Sequence, residues 1–116
     1  MKPSIQISEA LEKIAALLEQ GGYPTQAQSI MSLRDAALSD EPAEHAFFRS
    51  EITGNKWYWL GMGTIADICL DDRQKNKEFL MAYCDLAAAC ETAGLSSIYS
   101  RDVADIFGGW LRNGTV

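Results

Sequence analysis

Few residues in this chain have the types and spacing that catalysis or metal binding requires. His45 is the only histidine, and Glu41 lies four positions before it, so a helix would present both side chains on one face. A zinc site needs three or four ligands, and a cysteine nucleophile needs a thiolate, which the apolar sequence around every cysteine disfavours. No glycine-rich phosphate loop follows a predicted strand. We therefore expect a protein that is not an enzyme and has no catalytic residues, metal or cofactor.

A pair of neighbouring acids, Asp71 and Asp72, comes soon after Asp67. Adjacent carboxylates can form a paired acid site. Here they fall at the predicted end of a short helix, where negative charge opposes the helix dipole. That placement is more typical of a solvated turn, and it leaves open a role for the pair at an interface.

The stretch from Trp57 to Asp67 concentrates aromatic residues, glycines and a helix-start signal. Trp57, Tyr58 and Trp59 are consecutive, so they cannot all point into one core. Two of them could fill the core, with the Tyr58 hydroxyl at its edge. Alternatively, the group contains an anchor for a protein partner, because Trp and Tyr are frequent in interface hot spots. At least one of the three rings should lie at the surface.

Thr64 and Asp67 match the pattern of a helix cap. The Thr64 hydroxyl would accept a hydrogen bond from the amide of Asp67, and the Asp67 carboxylate would accept one from the amide of Thr64. Gly61 and Gly63 would then form the turn that leads into a short helix, because glycine tolerates a positive φ. The pattern predicts that Asp67 has an architectural role.

Apolar residues mostly recur at helical spacing, and no alternating strand pattern is present. A first helix is predicted for residues 8–20, and a second is predicted to follow Pro24 as far as Leu38, with Thr25 and Gln28 as its capping box. The short Gly-Pro turn between them predicts an antiparallel hairpin. Residues expected to be buried here are Ile7, Leu11, Ile14, Leu18, Ala27, Ile30, Met31 and Ala37, and Leu33 is a further candidate.

Three further helices are predicted downstream. The third would be capped by Asp40 and run to residue 53, the fourth would cover residues 77–93 with Asn76 as its cap, and the last would open at Ser100. Together the elements predict an all-α fold, a compact irregular bundle of five to six helices with a single core. Residues expected to face that core are one of Ala43 or Phe47, and Phe48, Ile52, Phe79, Tyr83, Leu86, Ala87, Cys90, Val103, Ile106, Phe107 and Trp110.

Composition limits the classes of partner. With 116 residues, 47% of them hydrophobic, the chain can bury a core as one domain over residues 1–116. Its net charge of −6 would repel phosphate backbones, so no nucleic-acid partner is expected. No apolar run is long enough for a membrane span, and the N-terminal stretch lacks signal-peptide features. Cys69, Cys84 and Cys90 are expected to be reduced core thiols, which predicts a cytoplasmic protein.

The glycine turn and the residues after it resemble a family of small bacterial helical proteins. Its members carry a Gly-Gly-Met-Gly-Ser segment, then an aromatic residue, Asn-Asp and an apolar run. The likeness covers roughly residues 8–93, and departures occur at Leu60, Ile65 and Ala66, where the family has glycine, an aromatic residue and asparagine. Some members are immunity-type proteins of polymorphic or contact-dependent toxin systems. The matching residues are Gly61, Met62, Gly63, Thr64 (serine in the family), Asp67, Ile68, Leu70, Asn76 and Phe79.

The resemblance implies a non-catalytic immunity protein that binds and neutralises a cognate bacterial toxin by occlusion. The negative charge fits a basic toxin, for example a nuclease, because complementary potentials raise association rate and specificity. The alternative is a self-associating helical adaptor or structural module, in which an exposed aromatic residue makes a homodimer contact. A small ligand-binding protein is a third reading. The expected partner-binding residues are Glu41, Glu44, Glu51, Tyr58, Asp71 and Asp72.

Overall fold

Five α-helices, joined by short connections and one longer central segment, make up the structure. The computed structural model describes residues 3–114, and within that range it contains no strand. Two single-turn 3-10 helices, Lys56–Tyr58 and Ile65–Asp67, lie in the central segment, which we define as residues 55–72. The prediction of an all-α fold is therefore confirmed. The α-helices are α1 (Pro3–Gln20), α2 (Pro24–Leu38), α3 (Pro42–Gly54), α4 (Arg73–Thr92) and α5 (Ile98–Asn113).

Helices α1 and α4 are the central pair of the bundle. α1 packs against both α2 and α4, α4 packs against both α1 and α5, and α3 packs mainly on α2. Two contacts define the direction of the central pair, since Lys13 pairs with Glu78 and Lys75 donates to Gln20. Positions later in α1 therefore meet positions earlier in α4, and the two helices run antiparallel.

The core forms where the apolar stripes of these helices meet. Ile7, Leu11, Ile14 and Leu18 recur at spacings of four, three and four, which places them on one helical face, and all four are buried. The matching stripe of α4 is also buried, as predicted. Its members, together with two residues of α5, are Phe79, Tyr83, Leu86, Ala87, Cys90, Val103 and Phe107.

An aromatic cluster fastens the central segment to this core. The Tyr83 ring makes edge-on contacts with the rings of Phe79, Trp59 and Phe107, at centroid distances of 5.2, 6.1 and 6.2 Å. The Tyr83 hydroxyl donates a 2.7 Å hydrogen bond to the carbonyl of Tyr58. The Trp59 indole N–H donates to the carbonyl of Ile52 at 2.9 Å. These bonds tie the central segment to both α3 and α4.

Helix starts differ from their predicted positions in α2 and α3. Pro24 is already in α2, so Thr25 has helical backbone and cannot act as the cap; Tyr23 occupies that position without a side-chain hydrogen bond. The predicted Thr25–Gln28 capping box is therefore wrong. In α3 the capping position belongs to Glu41 rather than Asp40, although Pro42 lies in the first turn as expected.

Helices α4 and α5 both begin earlier than predicted. Asp72 caps α4 by accepting from the amide of Lys75 at 2.9 Å, so the helix begins four residues before the predicted start. Asn76, the predicted cap, instead accepts from the amide of Leu70 at 2.9 Å. In α5 the side chains of Ser97 and Ser100 form a reciprocal capping box, which moves its start to Ile98.

Several residues expected to be buried lie at the surface. Neither Ala43 nor Phe47 faces the core, because the buried stripe of α3 consists only of Phe48 and Ile52. On α5, Ile106 and Trp110 are 40% and 42% exposed. Among the thiols only Cys90 is a core residue, whereas Cys84 is half-buried and Cys69 is exposed in the central segment. The expectation of three core thiols is wrong for Cys69.

Candidate functional site

The aromatic triplet divides between core and surface. Trp59 is fully buried and Tyr58 is 8% exposed, while Trp57 is 38% exposed and packs edge-on against the Tyr58 ring at 5.4 Å. Two of the three rings thus fill the core, as one of the two sequence interpretations expected. Tyr58 offers little more than an edge to a partner, and Trp57 is the ring of the triplet that solvent reaches.

Asn55 and Glu51 set the position of the triplet. The Asn55 side chain caps the first 3-10 helix by accepting from the amide of Trp57 at 3.0 Å. Its amide group donates to the Glu51 carboxylate at 2.6 Å. Burial, and after it the negative charge of Glu51, raises the pKa of Tyr58. Glu51 is therefore a half-buried carboxylate held against the aromatic triplet.

The glycine turn is built differently from the predicted cap. The Thr64 hydroxyl donates to the carbonyl of Gly61 at 2.7 Å and does not cap the Asp67 amide. The Asp67 carboxylate accepts a long 3.4 Å bond from Gly63, whose φ of 79° favours glycine. The reciprocal cap is therefore wrong, yet Asp67 does stabilise the turn. Met62, at its tip, is completely exposed.

The five predicted contact acids lie in three places in the fold, one of which is that of Glu51 beside the aromatic triplet. Glu41 and Glu44 are exposed at the N-terminal end of α3, where negative charge is favourable to the helix dipole. Asp71 is exposed at the end of the central segment. Asp72 is exposed too, but its carboxylate is engaged as the cap of α4. The carboxylates of Glu41, Glu44 and Asp71 are therefore available to a partner, whereas that of Asp72 is already hydrogen-bonded within the fold.

Negative charge is concentrated in one part of the sequence, residues 40–72, which we call the acidic segment. It holds seven acidic residues and two basic ones, so it carries −5 of the net charge of −6. Three ion pairs occur among the described residues, Lys13–Glu78, Arg34–Glu12 and Arg34–Asp35, and all lie outside this segment. Its carboxylates are thus without cationic partners within residues 3–114. They are Asp40, Glu41, Glu44, Glu51, Asp67, Asp71 and Asp72.

Helix α3 exposes an apolar face opposite its buried stripe. At 100° per residue, five positions fall within one arc of the helix that points away from Phe48 and Ile52, and all five are exposed. The largest of them is Phe47, which is 49% exposed. We call this surface the outer face of α3. Its residues are Ala43, Ala46, Phe47, Ser50 and Gly54.

Sequence reasoning missed this face because it assigned either Ala43 or Phe47 to the core. A usable signal was present. Phe47 and Phe48 are adjacent, so their side chains diverge by about 100° and a narrow stripe cannot bury both. Ile52 shares the face of Phe48, four residues away, and this spacing favours Phe48 as the buried one.

Among the other concave surfaces of the described structure are a groove and a cleft. An open groove of 410 Å³ runs between α1 and α4, floored largely by alanines and bordered by Glu9, Lys13 and Asp85. A cleft of 220 Å³ lies between the central segment and the C-terminal half of α5, with Asp67 and Trp110 in its wall. The cleft is smaller than the about 300–1,000 Å³ of usual small-molecule sites. Its shape thus gives little support to ligand binding at the turn.

No cluster of metal ligands is present in the described part of the chain: no three His, Cys, Asp or Glu side chains there are placed to hold an ion. His45 is exposed and, with Phe48 and Arg49, lines a pocket of 280 Å³ on the side of α3 away from its outer face.

None of the helices in residues 3–114 combines the length and apolar character needed to cross a bilayer.

Comparison with protein-family models, with curated proteins and with solved structures finds no match to this chain. The resemblance of the glycine turn to immunity-type proteins therefore stays a prediction.

Proposed function

We propose that this protein is a non-catalytic immunity protein that binds a basic bacterial toxin in the cytoplasm and neutralises it by occlusion. The observation that carries the proposal is the acidic segment, which holds −5 of the net charge of −6. None of its carboxylates is neutralised by an ion pair among the described residues. Unpaired carboxylates of this kind favour a cationic protein over an acidic or nucleic-acid partner.

Occlusion requires affinity and slow dissociation rather than chemistry. Unpaired surface carboxylates steer a basic partner and speed its capture, and apolar contacts then slow its release. In this scheme Glu41, Glu44 and Asp71 are the most accessible of the predicted contacts, because each is exposed and its carboxylate forms no ion pair or hydrogen bond among the described residues. Glu51, Asp72 and Tyr58 would contribute less directly, since each is also engaged within the fold.

Co-expression tests the proposal. The gene neighbouring this one should encode a secreted toxin, and the C-terminal domain of that toxin should kill cells unless this protein is co-expressed. Purified, the two proteins should form a stoichiometric complex in which toxin activity is lost. Normal growth of cells that lack this gene but keep an intact neighbouring toxin would refute the proposal.

A self-associating helical module is the second candidate, and the exposed outer face of α3 favours it. An exposed apolar helix face that includes an aromatic ring can be covered by another copy. Light scattering after gel filtration separates the two functions. A mass that rises to that of a dimer with concentration, without any toxin bound, supports self-association.

A further inference from the structure

We infer that the outer face of α3 is the surface on which the toxin docks, and that its occupant is a basic amphipathic helix of that toxin. The inference rests on the proposed function for the identity of the partner. It goes further by choosing one surface and one kind of structural element. The shape of the face, its exposed aromatic ring and the charges along its edges all favour such a helix.

The shape of the face suits a helix. From Ala43 to Gly54 it covers eleven residue steps, or about 16 Å at 1.5 Å per residue, which is three helical turns. Its residues other than Phe47 are small, so a partner backbone can approach closely along its length. Phe47 stands above them near the middle as the apolar anchor, 49% exposed. An amphipathic helix with a gap in its apolar stripe would fit over that ring.

The two edges of the face carry opposite charge. Glu44 and Glu51 lie seven residues apart along one edge, with Glu41 at the N-terminal end, and none of them forms an ion pair within the described range. Arg49 lies on the other edge. A helix with Lys or Arg residues along one flank would pair with the acidic edge and avoid Arg49 on the other. The charges thus select both a basic helix and its orientation.

A second copy of this chain fits the face less well. In an antiparallel two-fold arrangement the same edge of each helix meets its own counterpart, so Glu44 of one copy would lie near Glu51 of the other. In a parallel arrangement Asp40 and Glu41 of both copies would gather at one end, with the helix dipoles aligned. Each copy also carries a net charge of −6. A basic partner meets none of these repulsions.

The groove between α1 and α4 is the competing surface. The side chains that line it are alanines and polar residues, and the exposed Met81 lies in a neighbouring depression beside the Lys13–Glu78 ion pair. Met81 is 49% exposed, the same fraction as Phe47. This coincidence supplies a matched pair of variants, Phe47→Ala and Met81→Ala, which remove equally exposed side chains from the two surfaces.

The test measures the affinity of the full-length protein for the C-terminal domain of the neighbouring toxin by calorimetry. We expect Phe47→Ala to weaken binding about tenfold or more, and Ser50→Trp, which blocks the face, to weaken it further. Met81→Ala should bind within about twofold of the wild type. Thermal melting of each variant verifies that the fold is intact. Wild-type affinity in both α3 variants, or a loss confined to Met81→Ala, overturns the inference while toxin neutralisation stands.

A synthetic helix separates failure of the inference from failure of the proposed function. If the wild-type protein neither binds nor neutralises the toxin, the proposed function fails. Binding of an about 18-residue helix of Leu, Ala and Lys with one apolar face is then measured. Binding that Phe47→Ala removes and Met81→Ala keeps supports a docking face for basic helices. Equal binding of the synthetic helix by all variants overturns the inference. A wild-type dimer that Phe47→Ala dissociates also overturns it, because the outer face of α3 would then bind a second copy of this chain.

Discussion

At the scale of single residues, Tyr83 links three parts of the molecule through one side chain. Its ring touches Phe79 of α4 itself, Trp59 of the central segment and Phe107 of α5. Its hydroxyl donates to the carbonyl of Tyr58, a group that is buried with it. A buried carbonyl without a donor costs more than the net value of an ordinary hydrogen bond. The hydroxyl of Tyr83 therefore stabilises the fold in addition to its ring.

Tyr83→Phe tests that role. The ring contacts are kept and the carbonyl of Tyr58 loses its donor, so we expect the free energy of unfolding to fall by about 1–3 kcal/mol in urea titration. Tyr23→Phe is the control, because the Tyr23 side chain is half-buried and its hydroxyl makes no hydrogen bond among the described residues. An equal loss in both variants, or no loss in Tyr83→Phe, would show that the hydrogen bond contributes little.

Burial of groups that can release a proton makes the free energy of unfolding depend on pH in the alkaline range. Burial raises the pKa of Cys90 to about 12 and raises that of Tyr83 above its usual value. In the unfolded chain the cysteine thiol ionises at about pH 8.5 and the tyrosine hydroxyl at about pH 10. The folded state therefore holds protons that the unfolded state has released. The resulting stability is complete below those unfolded values and falls as the pH rises above them.

The free energy of unfolding should accordingly be level near neutrality and decline above about pH 8.5, approaching 1.4 kcal/mol per pH unit for Cys90 alone. Guanidinium titrations at several pH values measure this slope. Cys90→Ala should make the decline shallower without abolishing it, because burial also raises the pKa of Cys84. A profile that stays flat through about pH 10.5 in the wild type would contradict the expected burial of these protons.

At the scale of elements, the start of α4 shows how a predicted contact residue can serve the fold instead. Asp72 accepts from the amide of Lys75, whereas its neighbour Asp71 forms no such bond in the described structure. We expect Asp72→Ala to lower the free energy of unfolding by about 1 kcal/mol, the usual contribution of an acidic cap, and Asp71→Ala to change it little. Chemical denaturation compares the two. An equal loss of stability in both variants would show that the capping hydrogen bond of Asp72 does not stabilise α4.

The presence of each α-helix could be predicted from the sequence, but the residue at which the helix begins could not. The apolar stripes of α1 and α4 have a strict spacing, and that spacing alone predicted their buried residues correctly. Capping depends on which residue keeps an extended backbone just before the helix, and several residues compete for that position. Asn76 shows the cause of one error. Its side chain is recruited by the amide of Leu70, a contact set by how the central segment lies and not by local sequence.

The candidate site was predictable to a similar extent. The sequence indicated that at least one ring of the aromatic triplet would reach the surface, and Trp57 does so. It also located the acids that carry the charge. It did not identify the outer face of α3, because Ala43 and Phe47 have helical spacing that suits either a core or a docking face. Only the packing of α3 through Phe48 and Ile52 decides between the two.

At the scale of the whole molecule, the distribution of charge matters more than its total. The acidic segment carries −5 of the net −6, so we expect the local field at its exposed acids to attract a basic partner more strongly than the rest of the surface does. Such a field acts mainly on the rate of association, and salt screens it over about 10 Å at 0.1 M. Two variants with the same net charge but different positions therefore distinguish a local acidic surface from general acidity.

Glu41→Lys/Glu44→Lys removes charge from the acidic segment, and Glu19→Lys/Glu91→Lys removes the same amount from the last turns of α1 and α4. Each double variant changes the net charge from −6 to −2, since every substitution adds two charges. We expect the α3 variant to slow association with the toxin domain about tenfold in stopped-flow mixing, and the control to slow it much less. In about 0.5 M salt the difference should nearly vanish, because screening removes the field. Equal slowing by both variants would mean that net charge, and not the acidic segment, steers the encounter.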